Sequence, residues 1–122
     1  MQSTARALGA AGEARAAAHL EARGWRVLAR NVRAGGVELD LVARRRGVIA
    51  IVEVKTRRNR FAGAPEEAVD DTKRARLVRG AAAWLHENPQ RRQRVRFDVM
   101  VCEPEAGGWS VRHLEGAFDA GD

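Results

Sequence analysis

Two acidic residues and a lysine interrupt an otherwise apolar hairpin near the centre of the chain. The segment ELDLVA carries Asp40, and the following VIAIVEVK ends on Glu53 and Lys55. Side chains alternate along a strand, so Glu53 and Lys55 share one face. Across a turn near residues 45–48, Asp40 falls opposite Glu53 or within one residue of it, and opposed Cβ atoms are about 4.5–5.5 Å apart. The pattern therefore brings two carboxylates and an ammonium to one point.

The chemistry that suits this arrangement is binding of a divalent cation. Two carboxylates at that separation repel each other unless a cation lies between them, and Mg²⁺, held at about 2.1 Å from each oxygen, fits the gap. We expect Mg²⁺, with Mn²⁺ as a substitute. The alternative is a structural ion pair of Lys55 with Asp40 or Glu53. Because burying such a group costs several kcal/mol per ion and gains little net stability, the pattern favours a functional site.

The balance of charges indicates a polyanion partner. The chain has 22 Lys and Arg residues against 16 Asp and Glu residues, a formal net charge of +6. Such an excess is typical of nucleic-acid binding, although it also serves solubility. Only Lys55 and Lys73 are lysines, and all the other basic residues are arginines. These two positions are therefore candidates for a compact ammonium that a planar guanidinium cannot replace.

Length and composition predict one globular domain. The chain has 122 residues, and we expect a single domain over 1–122 with an ordered core at about 4–118. The one cysteine, Cys102, excludes an internal disulfide and fits a reducing compartment, so we expect a cytoplasmic protein. No apolar run approaches the ~18 residues of a membrane span, so we expect no membrane partner.

The hydrophobic pattern predicts an α/β fold in the order αβββαββ, with helices packed against a mixed five-stranded sheet. We expect Pro65 to open a short helical turn in the loop after the hairpin. The expected helices span 4–23 and 70–87, and the expected strands span 25–30, 37–43, 48–56, 96–102 and 109–114. The first helix is expected to bury Leu8, Ala11, Ala14, Ala18 and Leu20. The second is expected to bury Leu77, Val78, Ala81, Trp84 and Leu85.

Arginines near the acidic hairpin are candidates for phosphate contacts. Arg57, Arg58 and Arg60 follow the second hairpin strand, in the loop that would overhang the site, and Arg33 precedes the first. The connector arginines Arg91, Arg92, Arg94 and Arg96 either extend this track or form a solvated surface. For Asp98, which interrupts an apolar strand, a hydrogen bond at a strand end is favoured over a distant role in the site. The tryptophans Trp25, Trp84 and Trp109 are expected in the core.

Asp40, a hairpin turn and Glu53-Val54-Lys55 together resemble the PD-(D/E)xK nuclease motif of the restriction-endonuclease-like fold. The resemblance extends over residues 9–118. In order, GEARAAAHLEARGW, RNVRAGGVELDLVA, VEVKTR, GAPEEAVDDTK and RFDVMV are similar to the YraN family. That family consists of small bacterial proteins predicted to be endonucleases and distantly similar to archaeal Holliday junction resolvases. One departure is Val37, which stands where many relatives have the glycine that directly precedes the Glu-x-Asp.

The resemblance implies a metal-dependent endonuclease acting on DNA. Asp40 and Glu53 would ligate the metal with the Val54 carbonyl, and Lys55 would orient the attacking water or stabilise charge on the phosphate. Glu13, from Gly12-Glu13 in the first helix, would approach this cluster as a further catalytic acid, or else be a solvated helix residue.

Lys73 matches a recurring basic position of the family. It would contact phosphate or support the cluster, or else be a surface charge. Glu38 could join the metal site or pair with Arg33. By analogy with junction resolvases, the substrate would be branched DNA and the protein a homodimer.

Two other functions stay open at this point. One is a nucleic-acid-binding protein of the same fold that cleaves nothing. It would bind DNA without Mg²⁺ and give no products with any divalent ion. The other is a protein-interaction module in which the acids pair with arginines and a partner covers the hairpin. It would show no salt-dependent DNA binding.

Overall fold

A mixed five-stranded sheet with a helix on each face forms the fold. The computed structural model describes residues 4–58, 70–89 and 93–118. The sheet order is the chain order, and only the β3–β4 pair is parallel. This confirms the predicted α/β class and the order αβββαββ. The elements are α1 (Ala5–Ala22), β1 (Arg26–Ala34), β2 (Val37–Arg45), β3 (Val48–Thr56), α2 (Asp71–Glu87), β4 (Arg94–Glu105) and β5 (Gly108–Phe118).

Helix α1 begins at a threonine cap and ends before a left-handed glycine. The Thr4 hydroxyl accepts a hydrogen bond from the Ala7 N–H at 3.0 Å, and Gly24 has a φ of 87°. The predicted buried stripe was wrong apart from Leu20. Alanines occupy both faces of the helix, so the sequence carries little periodicity to read. The buried residues are Gly12, Ala16, Ala17 and Leu20.

Helix α2 makes the crossover between the parallel strands β3 and β4. The Asp70 carboxylate caps it, accepting a hydrogen bond from the Lys73 N–H at 2.9 Å. The prediction for Leu77, Ala81 and Trp84 is confirmed, since all three are buried. The helices of the described ranges are not long and apolar enough to cross a bilayer.

The sheet separates two apolar cores. One lies under α2 and contains, among others, Leu39, Ile51 and Trp84. The other lies under α1 and includes Leu20 and Leu41. With hydrophobic side chains on both faces, the central strands are buried on both sides, which explains their near-continuous apolar sequence.

Four strands are longer than the sequence predicts, and the smallest difference is in β2, which runs two residues further, to Arg45. Strand β1 continues to Ala34, through a segment expected to be a loop, and β4 and β5 form a long antiparallel ribbon that ends at Phe118. Charged and glycine residues in these extensions mask the strand pattern, but the ladder of backbone hydrogen bonds continues past them. The helical turn expected at Pro65 lies outside the described residues.

Candidate metal and phosphate site

The two hairpin strands separate where the acidic residues begin. The β2–β3 ladder runs from Arg45–Val48 to Leu41–Val52, so Asp40 and Glu53 occupy the next position. There the Asp40 Oδ2 atom accepts a hydrogen bond from the Val54 N–H at 2.9 Å. A side chain thus replaces the main chain as the partner of β3, and this holds the Asp40 carboxylate beside the end of that strand.

Strand β2 changes its facing at Asp40. Leu39 packs in the core under α2 and Leu41 in the core under α1, although residues two apart on a strand normally share a face. On the neighbouring strand β1, Arg30 pairs with Leu41 and Val32 with Leu39, so Asn31 lies opposite Asp40. Asn31 has a φ of 48°, a left-handed conformation that favours asparagine among non-glycine residues. This local twist turns Asp40 out of the apolar layers.

The electrostatics of Asp40 are those of an acid that forms no ion pair with any other described residue. Burial raises its pKa, the neighbouring Glu53 and Glu13 carboxylates raise it further, and the Val54 hydrogen bond only partly opposes them. The result is a pKa of about 7. A carboxylate whose ionisation is disfavoured by neighbouring carboxylates in this way is stabilised when a cation binds beside it.

Glu53 already has one cationic partner, supplied by α2. The Lys73 Nζ atom lies 2.8 Å from Glu53 Oε1, and the Glu53 side chain is 12% exposed. The Asp70 cap fixes the first helical turn and with it the position of Lys73. Of the three roles that the sequence left open for Lys73, a bare surface charge does not fit, because its ammonium contacts the acidic cluster.

Glu13 reaches the site because α1 packs closely on the end of β3. Gly12 is buried, and a Cβ atom at this position would overlap the Thr56 side chain. Glycine therefore lets the helix approach and places the next residue, Glu13, at the groove. Burial raises the Glu13 pKa, as do the charges of Glu38 and Glu53, whereas the Asn31 side chain lowers it by hydrogen bonding.

An open groove of about 350 Å³ runs past these side chains. Both lysines of the chain line it, Lys55 on β3 and Lys73 on α2, together with the acids Glu13 and Glu53. Lys55 is exposed and forms no ion pair with any of the described residues. Its ammonium is thus available to a ligand in the groove, beside an acid pair that lies deeper.

The predicted arginine contacts divide into different cases. Arg58 is exposed and lines the groove. Arg33 is exposed at the β1–β2 turn, where its guanidinium donates to the Gly36 carbonyl at 3.2 Å, and it does not line the groove. Arg60, like Arg91 and Arg92, lies outside the described residues.

The phosphate contact predicted for Arg57 does not fit the structure. Its side chain is 6% exposed and forms an ion pair with Glu103 at 3.1 Å. Its main-chain N–H donates to the Cys102 carbonyl at 2.8 Å. The sequence placed Arg57 in a mobile loop, but strand pairing with β4 continues one residue past Thr56 and turns this side chain into the fold. Arg57 therefore supports the β3–β4 junction.

Two residues at the site, Arg76 and Asn31, were not predicted from the sequence. Arg76 lines a second pocket with Glu38, Asp40 and Glu53, on the α2 side of the acid pair. It stands one helical turn after Lys73, and that i, i+3 spacing was the available signal. Asn31 lines a pocket with Glu13. The feature that could have indicated it is an asparagine within a strand of alternating side chains.

Asp98 belongs to a separate, structural cluster. It is 1% exposed and accepts hydrogen bonds from the Arg96 guanidinium, twice at 2.9 Å, from the Gly116 N–H at 2.9 Å and from His113 at 2.7 Å. The predicted hydrogen-bonding role is thus right, but Asp98 lies within β4 and joins it to β5. Arg96, which pairs with Asp98, is part of this cluster. Trp25 and Trp84 are buried, as predicted, and Trp109 is half-buried.

The donor set fits a hard divalent cation that keeps part of its water shell. Asp40, Glu53 and the Val54 carbonyl are oxygen donors, and Mg²⁺ is commonly bound through one or two carboxylates. Among the described residues no group of three or more acid, histidine or cysteine side chains is arranged to hold a metal ion. Glu13 is coupled to Asp40 by charge, because its carboxylate raises the Asp40 pKa.

The αβββαββ order, with its mixed sheet and crossover helix α2, is that of a restriction-endonuclease-like domain. The sequence profile described as "Uncharacterised protein family UPF0102" matches residues 12–102. This chain belongs to that family, the YraN family of the sequence resemblance.

Individual relatives are similar over most of the chain. A UPF0102 protein of Symbiobacterium thermophilum is 45% identical over 94% of this chain and 98% of its own length. One from Trichlorobacter lovleyi is 42% identical over 93% of this chain and 91% of its own length. One from Oleidesulfovibrio alaskensis is 47% identical over 82% of this chain, and the match spans half of that relative's length.

Proposed function

We propose that the protein is a metal-dependent endonuclease that hydrolyses DNA phosphodiester bonds. The observation that carries the proposal is the Asp40–Glu53 pair at the point where β2 and β3 separate. Asp40 is held there by the Val54 N–H, its pKa is raised to about 7, and Glu53 lines both the groove that contains the two lysines of the chain and the neighbouring pocket that contains Asp40. Such a pair has the charge and the oxygen donors to hold Mg²⁺ or Mn²⁺.

Asp40, Glu53 and the Val54 carbonyl would hold the ion. When bound, a divalent ion of this kind polarises a phosphoryl oxygen and lowers the pKa of water. The remaining catalytic roles belong to the chain's own residues. Lys55 positions the attacking water and offsets the negative charge that grows on the phosphate in the transition state.

The basic side chains around the groove supply binding. Arg58 and Arg76 lie on either side of the acid pair, and Lys73 lies between them at the start of α2. Contacts of this type hold the sugar–phosphate backbone and carry no base information. We therefore propose selection by DNA shape. By analogy with junction resolvases, we propose branched DNA as the substrate class and a homodimer as the active form.

The Lys73–Glu53 ion pair favours one second candidate, the nucleic-acid-binding protein without cleavage. Lys73 already gives Glu53 a counter-charge at 2.8 Å, as a metal ion would. The two functions differ in the effect of Lys73→Gln. In the nuclease this variant binds Mn²⁺ more tightly, because a competing cation is removed, yet cleaves more slowly. In the binding protein it has no effect on metal affinity.

Cleavage of labelled DNA tests the proposal. Four-way junction, flap, single-stranded and linear duplex substrates are incubated with Mg²⁺ or Mn²⁺ and wild-type protein, Glu53→Gln or Lys55→Gln. The matched control is Arg112→Gln, an exposed basic residue on β5 that does not line the groove.

We expect cleavage by wild type and by the control, and its loss in both site variants. Products from wild type and both site variants alike would come from a contaminant. Absence of products with wild type, together with DNA binding in EDTA, would replace the proposal by the second candidate.

A further inference from the structure

A second group of arginines lies at the opposite end of the sheet from the acid pair. Arg26 begins β1, Arg44 lies near the end of β2, Arg46 lies in the β2–β3 turn and Arg94 begins β4. The register brings them together, because Arg26 pairs with Arg44 and the Arg94 N–H donates to the carbonyl of Gly47. We call these four residues the arginine end.

Within the described ranges, the arginine end lacks acidic partners of the kind that Arg57 and Arg96 have. Arg57 pairs with Glu103 and Arg96 with Asp98. Among the described residues, by contrast, no acidic side chain forms an ion pair with any member of the arginine end. Three of its members are exposed and Arg44 is half-buried. The positive charge there is thus left for solvent or for a ligand.

Two features of the arginine end work against the stability of the fold. Arg26 and Arg44 are direct cross-strand partners, and like charges in such positions repel. Arg46 has a φ of 50° in a two-residue turn with Gly47, where asparagine, aspartate or glycine is favoured. A sequence selected only for stability would not place arginine both at position 44, opposite Arg26, and at position 46 in the turn. These choices point to a ligand that benefits from the charge.

The surface beneath the arginine end is well fixed. The Arg45 guanidinium stacks on the Trp25 ring at 4.6 Å and donates to the Arg23 carbonyl at 3.0 Å, which ties the end of β2 to the end of α1. A rigid base lets exposed side chains meet a ligand without ordering the backbone first.

We propose that the arginine end binds the phosphate backbone of duplex DNA, as a second contact separate from the groove. Glu53 lies five residue steps along β3 from Val48, about 17 Å at the rise of a strand. A ligand that reaches both regions is therefore an extended polyanion, and duplex DNA has the required spacing of phosphates. The inference rests on the proposed function for the identity of the polyanion, but it does not require that the groove cleave.

The test measures DNA affinity as a function of salt, in EDTA so that cleavage plays no part. Fluorescence anisotropy with a labelled duplex gives the dissociation constant from about 50 to 200 mM NaCl, and log K falls with log salt by about 0.9 per neutralised phosphate. The variant is Arg44→Gln combined with Arg46→Asn, because asparagine suits the left-handed turn. The matched control is Arg15→Gln combined with Arg112→Gln, which removes the same charge from exposed positions on α1 and β5.

We expect the slope to become shallower by about 0.9 for each phosphate that the arginine-end variant no longer neutralises, and to stay at the wild-type value in the control. Equal slopes in the two variants would overturn the proposal, as would wild-type protein that does not bind duplex DNA. Failure of the nuclease proposal would give a different result from failure of this one. In that case wild type binds with the expected slope and yields no products when Mg²⁺ is added.

Discussion

Two aspartates of the sheet, the half-buried Asp40 and the buried Asp98, have opposite surroundings. Asp98 is surrounded by donors, and although burial raises its pKa, the hydrogen bonds from His113, Arg96 and the Gly116 N–H outweigh burial and lower it. Asp40 accepts one main-chain hydrogen bond and lies beside other carboxylates, so its pKa is raised to about 7. Asp98 has a counter-charge within the fold, on Arg96, whereas among the described residues Asp40 forms no ion pair and Lys73 pairs with the neighbouring Glu53.

This difference distinguishes a structural acid, Asp98, from Asp40, the acid that we propose as functional. A buried carboxylate that serves only the fold gains nothing from a repelling neighbour, since the repulsion costs stability. Asp98 meets that criterion and joins β4 to β5. Asp40 does not, and it lies where β2 and β3 separate and a groove opens. We therefore predict that the two residues respond in opposite ways to substitution, pH and metal.

The largest expected effect is on catalysis. Asp40→Asn keeps the size of the side chain but removes the charge that would hold the metal, so we expect the cleavage rate to fall at least about 100-fold. Asp98→Asn should retain the rate within a few-fold when assayed below its unfolding temperature. Single-turnover cleavage with Mg²⁺ measures both, and equal losses in the two variants would erase the distinction.

The next effect is on stability, where the order of the two variants reverses. Asp98→Asn leaves the Arg96 guanidinium without its buried partner, and we expect a loss of about 2–4 kcal/mol in the free energy of unfolding. Urea unfolding at neutral pH in EDTA measures it. The matched variant Asp40→Asn should be at least as stable as wild type. A loss of the same size in Asp40→Asn would mean that Asp40 is structural too.

The pH dependence of stability should have opposite signs at the two sites. The Asp40 pKa is about 7 in the folded protein and about 3.9 unfolded, so between these values the folded state binds more protons and stability falls as pH rises. Asp40→Asn should therefore gain about 1–3 kcal/mol over wild type between about pH 4 and pH 8.

Asp98 contributes stability above its unfolded pKa, and that contribution is lost as pH falls through the lowered folded value. Urea unfolding in EDTA across this pH range is the measurement. Saturating Mg²⁺ should cancel the gain of Asp40→Asn, because the ion stabilises the ionised pair. A gain that is independent of both pH and Mg²⁺ would contradict the charge repulsion inferred at Asp40.

The sequence alone identifies the acid pair but not everything that positions it. Asp40, Glu53 and Lys55 follow from strand alternation and one hairpin turn, which are local rules. The burial of Arg57 and the partners of Asp98 depend on β4 and β5, which come from far along the chain. The alternation of side chains along β2 also breaks at Asp40. The sequence of β2 does not reveal this, because the left-handed residue that accompanies the break, Asn31, lies on β1. Helix α1 was placed correctly, yet its buried face depends on Gly12 meeting Thr56, a contact between distant segments.

The smallest expected effect concerns Asn31, which supports the site from β1. Asn31→Gly keeps the left-handed conformation and removes the amide beside Glu13, so we expect unchanged stability and a roughly 10-fold lower cleavage rate. Thermal unfolding and single-turnover cleavage measure the two quantities. Asn31→Ala is the companion variant, and the strain of a left-handed alanine should add a loss of stability. A rate that is unaffected in Asn31→Gly would remove Asn31 from the site.

Calorimetric titration of Mn²⁺ into wild type, Asp40→Asn and Asp98→Asn tests the central claim most directly, because it detects the metal without requiring a substrate. We predict one binding site in wild type, retained in Asp98→Asn and absent from Asp40→Asn. Wild-type protein that binds no Mn²⁺, or a site that persists unchanged in Asp40→Asn, would contradict the assignment of Asp40 and Glu53 as metal ligands.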